Sequence, residues 1–255
     1  MNYESKTEFL EIENNDKVLT IRLNRPKALN AFRPEMLDEI ERLVRLASRD
    51  EATSVIVLEG AGRSFSAGVD LKVLQGIEPA GGKIGDLFDM PARRAYLAIR
   101  ESRCPVIAKV HGACFTGALE IALHCDFIFT TIDTKFGDTH AKFGLRPTWG
   151  MGQTLSQAVG VRMAKELSFT ARTFLGDEAE RLGVANRAVA DKTELDALVA
   201  KRAAQISENS SEAVGAMKEL YGVAQAGMGM DEGLEKELEL EYLEITDTSE
   251  RLSNF

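Results

Sequence analysis

The stretch Cys104–Thr131, CPVIAKVHGACFTGALEIALHCDFIFTT, constrains this chain more than any other. Pro105–Val110 and Phe127–Thr131 are apolar runs of strand length and read as buried strands. Between them lie a small-residue turn, with Gly112, Ala113 and Gly117, and an apolar helical segment holding one carboxylate, Glu120. Charged side chains are rarely buried without a partner, so a glutamate among Ala118, Leu119, Ile121, Ala122 and Leu123 requires a reason. From this stretch alone two reasons are open. One is an acid near a helix start, favoured by the macrodipole; the other is a catalytic group.

The flanking sequence supplies the context. Leu10 and Ile12 alternate with Glu11 and Glu13, and Leu19, Ile21 and Leu23 alternate with Thr20 and Arg22, on either side of Asn14-Asn15-Asp16. That pattern predicts a hairpin, ended at Asn24-Arg25-Pro26 where proline removes a backbone donor. Met36, Leu37, Ile40, Leu43, Val44 and Ala47 stand at helical spacing and predict an amphipathic helix over 34–47. Ser54–Gly60 reads as a buried strand ending in Gly60-Ala61-Gly62. A dinucleotide-binding loop fails there, because Phe65 stands where the fingerprint needs glycine. Residues 75–90 read as a glycine-rich loop, with helical character returning at Ala92. After the central stretch, a loop from Gly144 to Gly152 leads to a helix from Gln153. A short helix is predicted over Asp177–Leu182 and a strand over Ala188–Ala190. The tail from Thr193 to about Glu244 is mostly helical, and its acidic run, 235–244, carries Leu238, Leu240, Tyr242 and Leu243 as a docking side. Strands alternating with helices, then a helical tail, define an α/β protein.

Composition narrows the function. A chain of 255 residues with 44% hydrophobic content suits one domain with a small appendage, and a net charge of −9 argues against a nucleic-acid surface. The N-terminal residues have neither an apolar signal core nor transit character, and Lys109, His111 and Glu120 interrupt the best candidate membrane span. Cys104, Cys114 and Cys125 are odd in number and read as buried free thiols, consistent with a cytoplasmic protein. His111, His124 and Cys125 lack zinc-ligand spacing, so no metal site is predicted.

Several motifs then resemble the crotonase, or enoyl-CoA hydratase/isomerase, superfamily. They are Leu23–Ala31 (LNRPKALNA), Phe65–Leu71 (FSAGVDL), Val110–Gly112 with Gly117–Ala122, Cys125-Asp126, Phe136-Gly137, Gly144–Pro147 and the segment from Thr170 to Ala185. The resemblance implies a spiral of repeated β-β-α units as a catalytic core over 1–195. It also implies a C-terminal helical region over 196–255 that builds trimers or dimers of trimers. It implies an acyl-CoA thioester substrate, with coenzyme A as part of the substrate and no cofactor. Its shared device is an oxyanion hole of two backbone N–H groups, falling here on Val69 and Gly117. Two glutamates act on water in the family's hydratases. The first matches Glu120; the second falls on His140, an imidazole in place of a carboxylate. That imidazole either shares the acid/base work or only hydrogen-bonds near the site. Asp138 is an alternative source of the second carboxylate. The resemblance further assigns Lys27, Ala28, Ser66, Ala67, Gly68, Asp70, Leu71 and Lys72 to coenzyme A, with a plain surface role open for both lysines. Leu145, Pro147 and Trp149 are the expected acyl-pocket walls, with core packing open for Trp149.

Hydration of an enoyl-CoA is therefore the leading expectation. Isomerisation, thioester hydrolysis, hydratase/lyase chemistry and non-catalytic acyl-CoA binding are the alternatives. Ser64 and Ser66 lack a nucleophile elbow, so a serine hydrolase is not supported.

Overall fold

The computed structural model describes residues 1–76 and 79–253. Strands β1 (Leu10–Asn15) and β2 (Val18–Leu23) pair antiparallel, with Asn15 opposite Val18. Asp16 and Lys17 make the two-residue turn at φ 49° and 67°, the positive values a tight hairpin demands. A 3-10 turn over Pro26–Ala28 leads to α1 (Pro34–Ser48), whose proline occupies the first helical position. Next come β3 (Val55–Gly60), the short α2 (Leu71–Leu74) and α3 (Asp86–Glu101). The predicted loop over 75–90 ends early, because α3 starts at Asp86 and runs through Pro91; residues 77 and 78 of that loop lie outside the described residues. The reason is burial: Phe88, Pro91 and Ala92 all face the core, which outweighs the one hydrogen bond proline forfeits.

The central stretch follows as β4 (Val106–Val110), β5 (Ala113–Phe115), α4 (Gly117–His124) and β6 (Phe127–Thr131). The predicted turn over 112–117 thus contains a strand, β5, which pairs with β7 (Lys135–Gly137). A 3-10 turn over His140–Phe143 precedes α5 (Met151–Val159) and α6 (Val161–Thr170). The remaining elements are β8 (Phe174–Leu175), α7 (Gly176–Leu182), β9 (Arg187–Val189), α8 (Lys192–Ser207), α9 (Ser211–Gln225), α10 (Met230–Glu239) and α11 (Thr248–Leu252).

Six strands form one sheet in the order β1-β2-β3-β4-β6-β9, parallel beyond the first pair, and β5-β7-β8 form a second, smaller sheet. The same chain excursion therefore deposits one strand in each sheet and a helix after it. The larger core lies on the α1, α3 and α4 side, around Phe32, Phe65, Phe88, Phe136 and Trp149. A second core joins Val55, Val57, Ile107 and Phe129 to Leu195, Val199 and Ala203 of α8. The predicted boundary at 195/196 therefore cuts α8, a helix that belongs to the core. Helices α9 to α11 follow α8 in the chain. Helix α9 is tied back by Lys218, whose Nζ donates to Ile99 O (2.8 Å), Cys104 O (3.2 Å) and Asp126 Oδ2 (2.7 Å). Among the described residues no helix is long and apolar enough to cross a membrane, and the three cysteines are free.

Candidate functional site

Two buried carboxylates of the central layers have different surroundings. Glu59 of β3 is 4% exposed, and Arg22 and Lys109 both pair with it. Burial raises its pKa, but the two cations outweigh that and hold it below the usual carboxylate range. Glu120 of α4 is 1% exposed and forms no ion pair with a lysine or arginine among the described residues. Its Oε1 accepts the backbone N–H groups of Trp149 (3.0 Å) and Met151 (3.2 Å). Its Oε2 faces His140 Nε2 at 3.6 Å. Burial drives this carboxyl from 4.5 up to about 7, against the opposing charge of His140 and the two amides. Glu59 is thus a neutralised structural pair, whereas Glu120 is poised to exchange a proton near neutral pH.

His140 is oriented from behind. Its Nδ1 lies 2.6 Å from Asp138 Oδ1, and its backbone N–H reaches the same oxygen at 3.3 Å. Burial raises the pKa of Asp138, but hydrogen bonds from His140 and Ser168 more than offset it and keep the group ionised. An ionised carboxylate only accepts hydrogen bonds, so Nδ1 carries the proton and donates, and Nε2 is directed at Glu120. Burial disfavours the imidazolium, yet Asp138 and Glu120 together hold the His140 pKa above its ordinary value. Asp138 therefore supports His140 and does not itself address Glu120. We expect Asp138→Asn to move both limbs of the pH–rate profile to lower pH, because removing that negative charge eases proton loss from the pair. The rate at the optimum should fall about 10- to 100-fold, and a kcat profile between pH 5 and 9 checks both effects.

A cavity of about 320 Å³ opens onto this pair. Ala67, Val69 and Leu71 line one side, and Thr116, Gly117 and Trp149 another. Two backbone amides stand out on its wall. From Phe65 to Asp70 the N–H groups donate to His111 O, Ala113 O, Leu29 O, Ser66 Oγ and Phe32 O, with Val69 passed over. Val69 forms a parallel bridge with Phe32 in which the bonds belong to its neighbours, so its own N–H points the other way. Gly117 opens α4, where first-turn amides lack intrahelical acceptors. Neither N–H has an acceptor among the described residues. Gly117 must be glycine: a Cβ would lie 2.6 Å from Trp149 Cζ3.

The other predicted residues divide sharply. Leu145 and Trp149 line the cavity; Trp149 is also 1% exposed, so it serves as core and wall at once. Pro147 is not brought to it and borders a separate depression shared with Lys83, Arg93 and Tyr96. Ala67 and Leu71 reach the cavity, but Ser66, Gly68 and Asp70 face inward. Ser66 accepts from Gly68 N–H (3.2 Å), and Asp70 pairs with Arg25 (2.8 Å) and caps α2 through Lys72 N–H (3.0 Å). Lys27, Ala28 and Lys72 are exposed and outside the cavity wall. His111 and His124 engage the carbonyls of Gly62 (2.9 Å) and Trp149 (2.7 Å). Sequence reasoning missed Asp89, which accepts from Trp149 Nε1 (3.0 Å) and Thr148 Oγ1 (2.7 Å) and so anchors the loop that carries Glu120's amide donors. No local pattern marks it, since its partners lie 59 and 60 residues away.

The chain is similar to known enoyl-CoA hydratases in sequence and in fold. The family model described as enoyl-CoA hydratase/isomerase matches residues 13–252. A short-chain-enoyl-CoA hydratase of Clostridium acetobutylicum is 37% identical over 180 residues, 70% of this chain and 67% of that protein. A crotonyl-CoA hydratase of Syntrophomonas wolfei is 32% identical over 231 residues, 90% of this chain and 85% of its own. The crystal structure of an enoyl-CoA hydratase from Bacillus anthracis superposes with a TM-score of 0.84 at 27% identity, covering 89% of this chain and 87% of that one. With a match spanning nearly its whole length and a cavity built as described, the chain belongs to the enoyl-CoA hydratase/isomerase family.

Proposed function

We propose that this enoyl-CoA hydratase-like enzyme adds water across the 2,3 double bond of an enoyl-CoA thioester. The observation that carries this reading is the opposition of Glu120 Oε2 and His140 Nε2 at 3.6 Å on a cavity whose wall holds two unengaged amides. The thioester oxygen sits between the Val69 and Gly117 N–H groups, which stabilise the enolate as negative charge develops. Water rests on the cavity side of the pair, within reach of both side chains. Glu120 Oε2 takes its proton as hydroxide adds to C3, and the His140 imidazolium delivers a proton to C2. The proton gained by Glu120 then returns to His140 across the short gap, restoring the starting state.

The pair works with one proton between its members and loses activity with two or none. The kcat profile should therefore be a bell around neutrality, rising as pH increases through the first macroscopic pKa and falling through the second. The assay is loss of the conjugated thioester absorbance of crotonyl-CoA and longer or aromatic enoyl-CoAs. No loss with any of them, despite binding, overturns hydration in favour of isomerisation or hydrolysis through the same enolate.

The proton transfers fall to protein side chains and the reaction is redox-neutral, so we assign no cofactor. Lys27 and Lys72, both exposed, are proposed to meet the nucleotide phosphates. Exposed Leu234 and Leu238 on α10, at 52% and 88%, support a trimer or a dimer of trimers built through the C-terminal helices. Free thiols and an acidic surface support a cytoplasmic site of action.

A further inference from the structure

We propose that the Thr116 hydroxyl is a third donor to the thioester oxygen, beside the Val69 and Gly117 amides. The proposal rests on the thioester reading above. Thr116 adopts φ 47° and ψ −116°. That conformation is foreign to a β-branched residue, and it lies outside the left-handed helical region that Leu29 and Ala171 use at ψ 36° and 32°. Glycine would adopt it freely. The backbone of Thr116 donates to Gly137 O (2.9 Å) and accepts from Glu120 N–H (2.9 Å), and glycine would make both bonds equally well. The side chain therefore has to account for its own presence.

It does not account for it within the protein. The hydroxyl does not cap α4, and it makes no hydrogen bond among the described residues. It sits on the wall of the cavity. A Cβ built on Gly68 would lie 2.4 Å from Thr116 Oγ1, so this oxygen rests directly against Gly68. The Val69 N–H belongs to the Gly68–Val69 peptide, and the Gly117 N–H to the Thr116–Gly117 peptide. The hydroxyl is thus flanked by the two peptides that supply the oxyanion donors. A free O–H placed there strengthens its bond to the thioester oxygen as enolate charge grows, which lowers the barrier more than it tightens binding.

The test separates this role from a structural one. In the Glu120→Gln protein, which holds substrate without turning it over, a conjugated aromatic enoyl-CoA should show a red-shifted absorbance when bound, reporting carbonyl polarisation. Adding Thr116→Val, which keeps the shape and removes the O–H, should shrink that red shift; Thr116→Ser should retain it. In the protein with Glu120 intact, Thr116→Val and Thr116→Gly should each lower kcat about 10-fold with little change in KM. Thr116→Gly should also melt at a higher temperature than the parent, since it relieves the backbone. A full red shift and full kcat in Thr116→Val would overturn the proposal. So would a Thr116→Gly protein that is both slower and less stable, which marks a structural residue. If the Glu120→Gln parent binds no enoyl-CoA, the thioester reading itself falls and takes this inference with it.

Discussion

Glu120→Gln is expected to lower kcat for hydration by at least about 10³-fold while leaving enoyl-CoA binding within a few-fold of the parent. The geometry makes this substitution unusually clean. Glutamine keeps an Oε1 that accepts the Trp149 and Met151 N–H groups, so the loop from Thr148 to Met151 stays in place. What is lost is the proton-accepting oxygen that faces His140. Stability should move in the opposite direction to activity. The folded pKa of Glu120 is raised, so its contribution to stability is complete below its ordinary value of 4.5 and is lost as pH climbs through about 7. Above neutrality the native protein carries a buried carboxylate that glutamine does not. The variant should therefore gain on the parent with rising pH, by at most roughly 3 kcal/mol for a shift of this size. Paired melting curves at pH 5 and 8, with stopped-flow hydration and equilibrium binding, check all three statements. A variant that turns over normally would remove Glu120 from the mechanism.

Gly117→Ala should damage the site through packing, with the chemistry of every side chain unchanged. In an ordinary helix, alanine is favoured over glycine by about 1 kcal/mol. Here the added methyl would lie 2.6 Å from Trp149 Cζ3, and two more ring carbons stand at 3.1 and 3.2 Å. Trp149 has little freedom to retreat. Its Nε1–H is held by Asp89, its backbone N–H by Glu120 and its carbonyl by His124, whose ring stacks on Tyr96 with centroids 4.4 Å apart. Relief must come from a shift of the Gly117 amide or of the Trp149 loop, and either misaligns a donor that we propose stabilises the enolate. We expect kcat to fall about 10²- to 10³-fold, as for loss of one oxyanion donor, and stability to fall by about 1–3 kcal/mol from overpacking. Steady-state kinetics and denaturant titration measure both. Wild-type kinetics in a stable Gly117→Ala protein would place the oxyanion site elsewhere.

These expectations trace back to features of unequal visibility in the sequence. The strands Val55–Gly60, Val106–Val110 and Phe127–Thr131 were legible because buried strands are mostly apolar, with Glu59 and Lys109 the charged exceptions, and the first hairpin because its one-sided burial imposes alternation. Glu120 stood out for the same reason, as a charge in an apolar run. Glu59 shows the limit of that signal. It too is buried, but Arg22 and Lys109 arrive from neighbouring strands and neutralise it.

By itself, then, the sequence determined the alternation of strands and helices, the apolar frame around Glu120 and the family to which its motifs belong. Those are properties of local periodicity and of short contiguous residue patterns. Only the tertiary structure decided that Asp138 turns toward His140 and leaves Glu120 to face the imidazole, that β5 joins a second sheet, and that α8 belongs to the core. It also decided that Val69 is passed over in a run of satisfied amides, and that Asp89 holds Trp149 against Gly117. Each of these depends on groups far apart in the chain meeting at hydrogen-bond or van der Waals distance. Such meetings are set by how sheets and helices stack, and no single stretch of sequence encodes them.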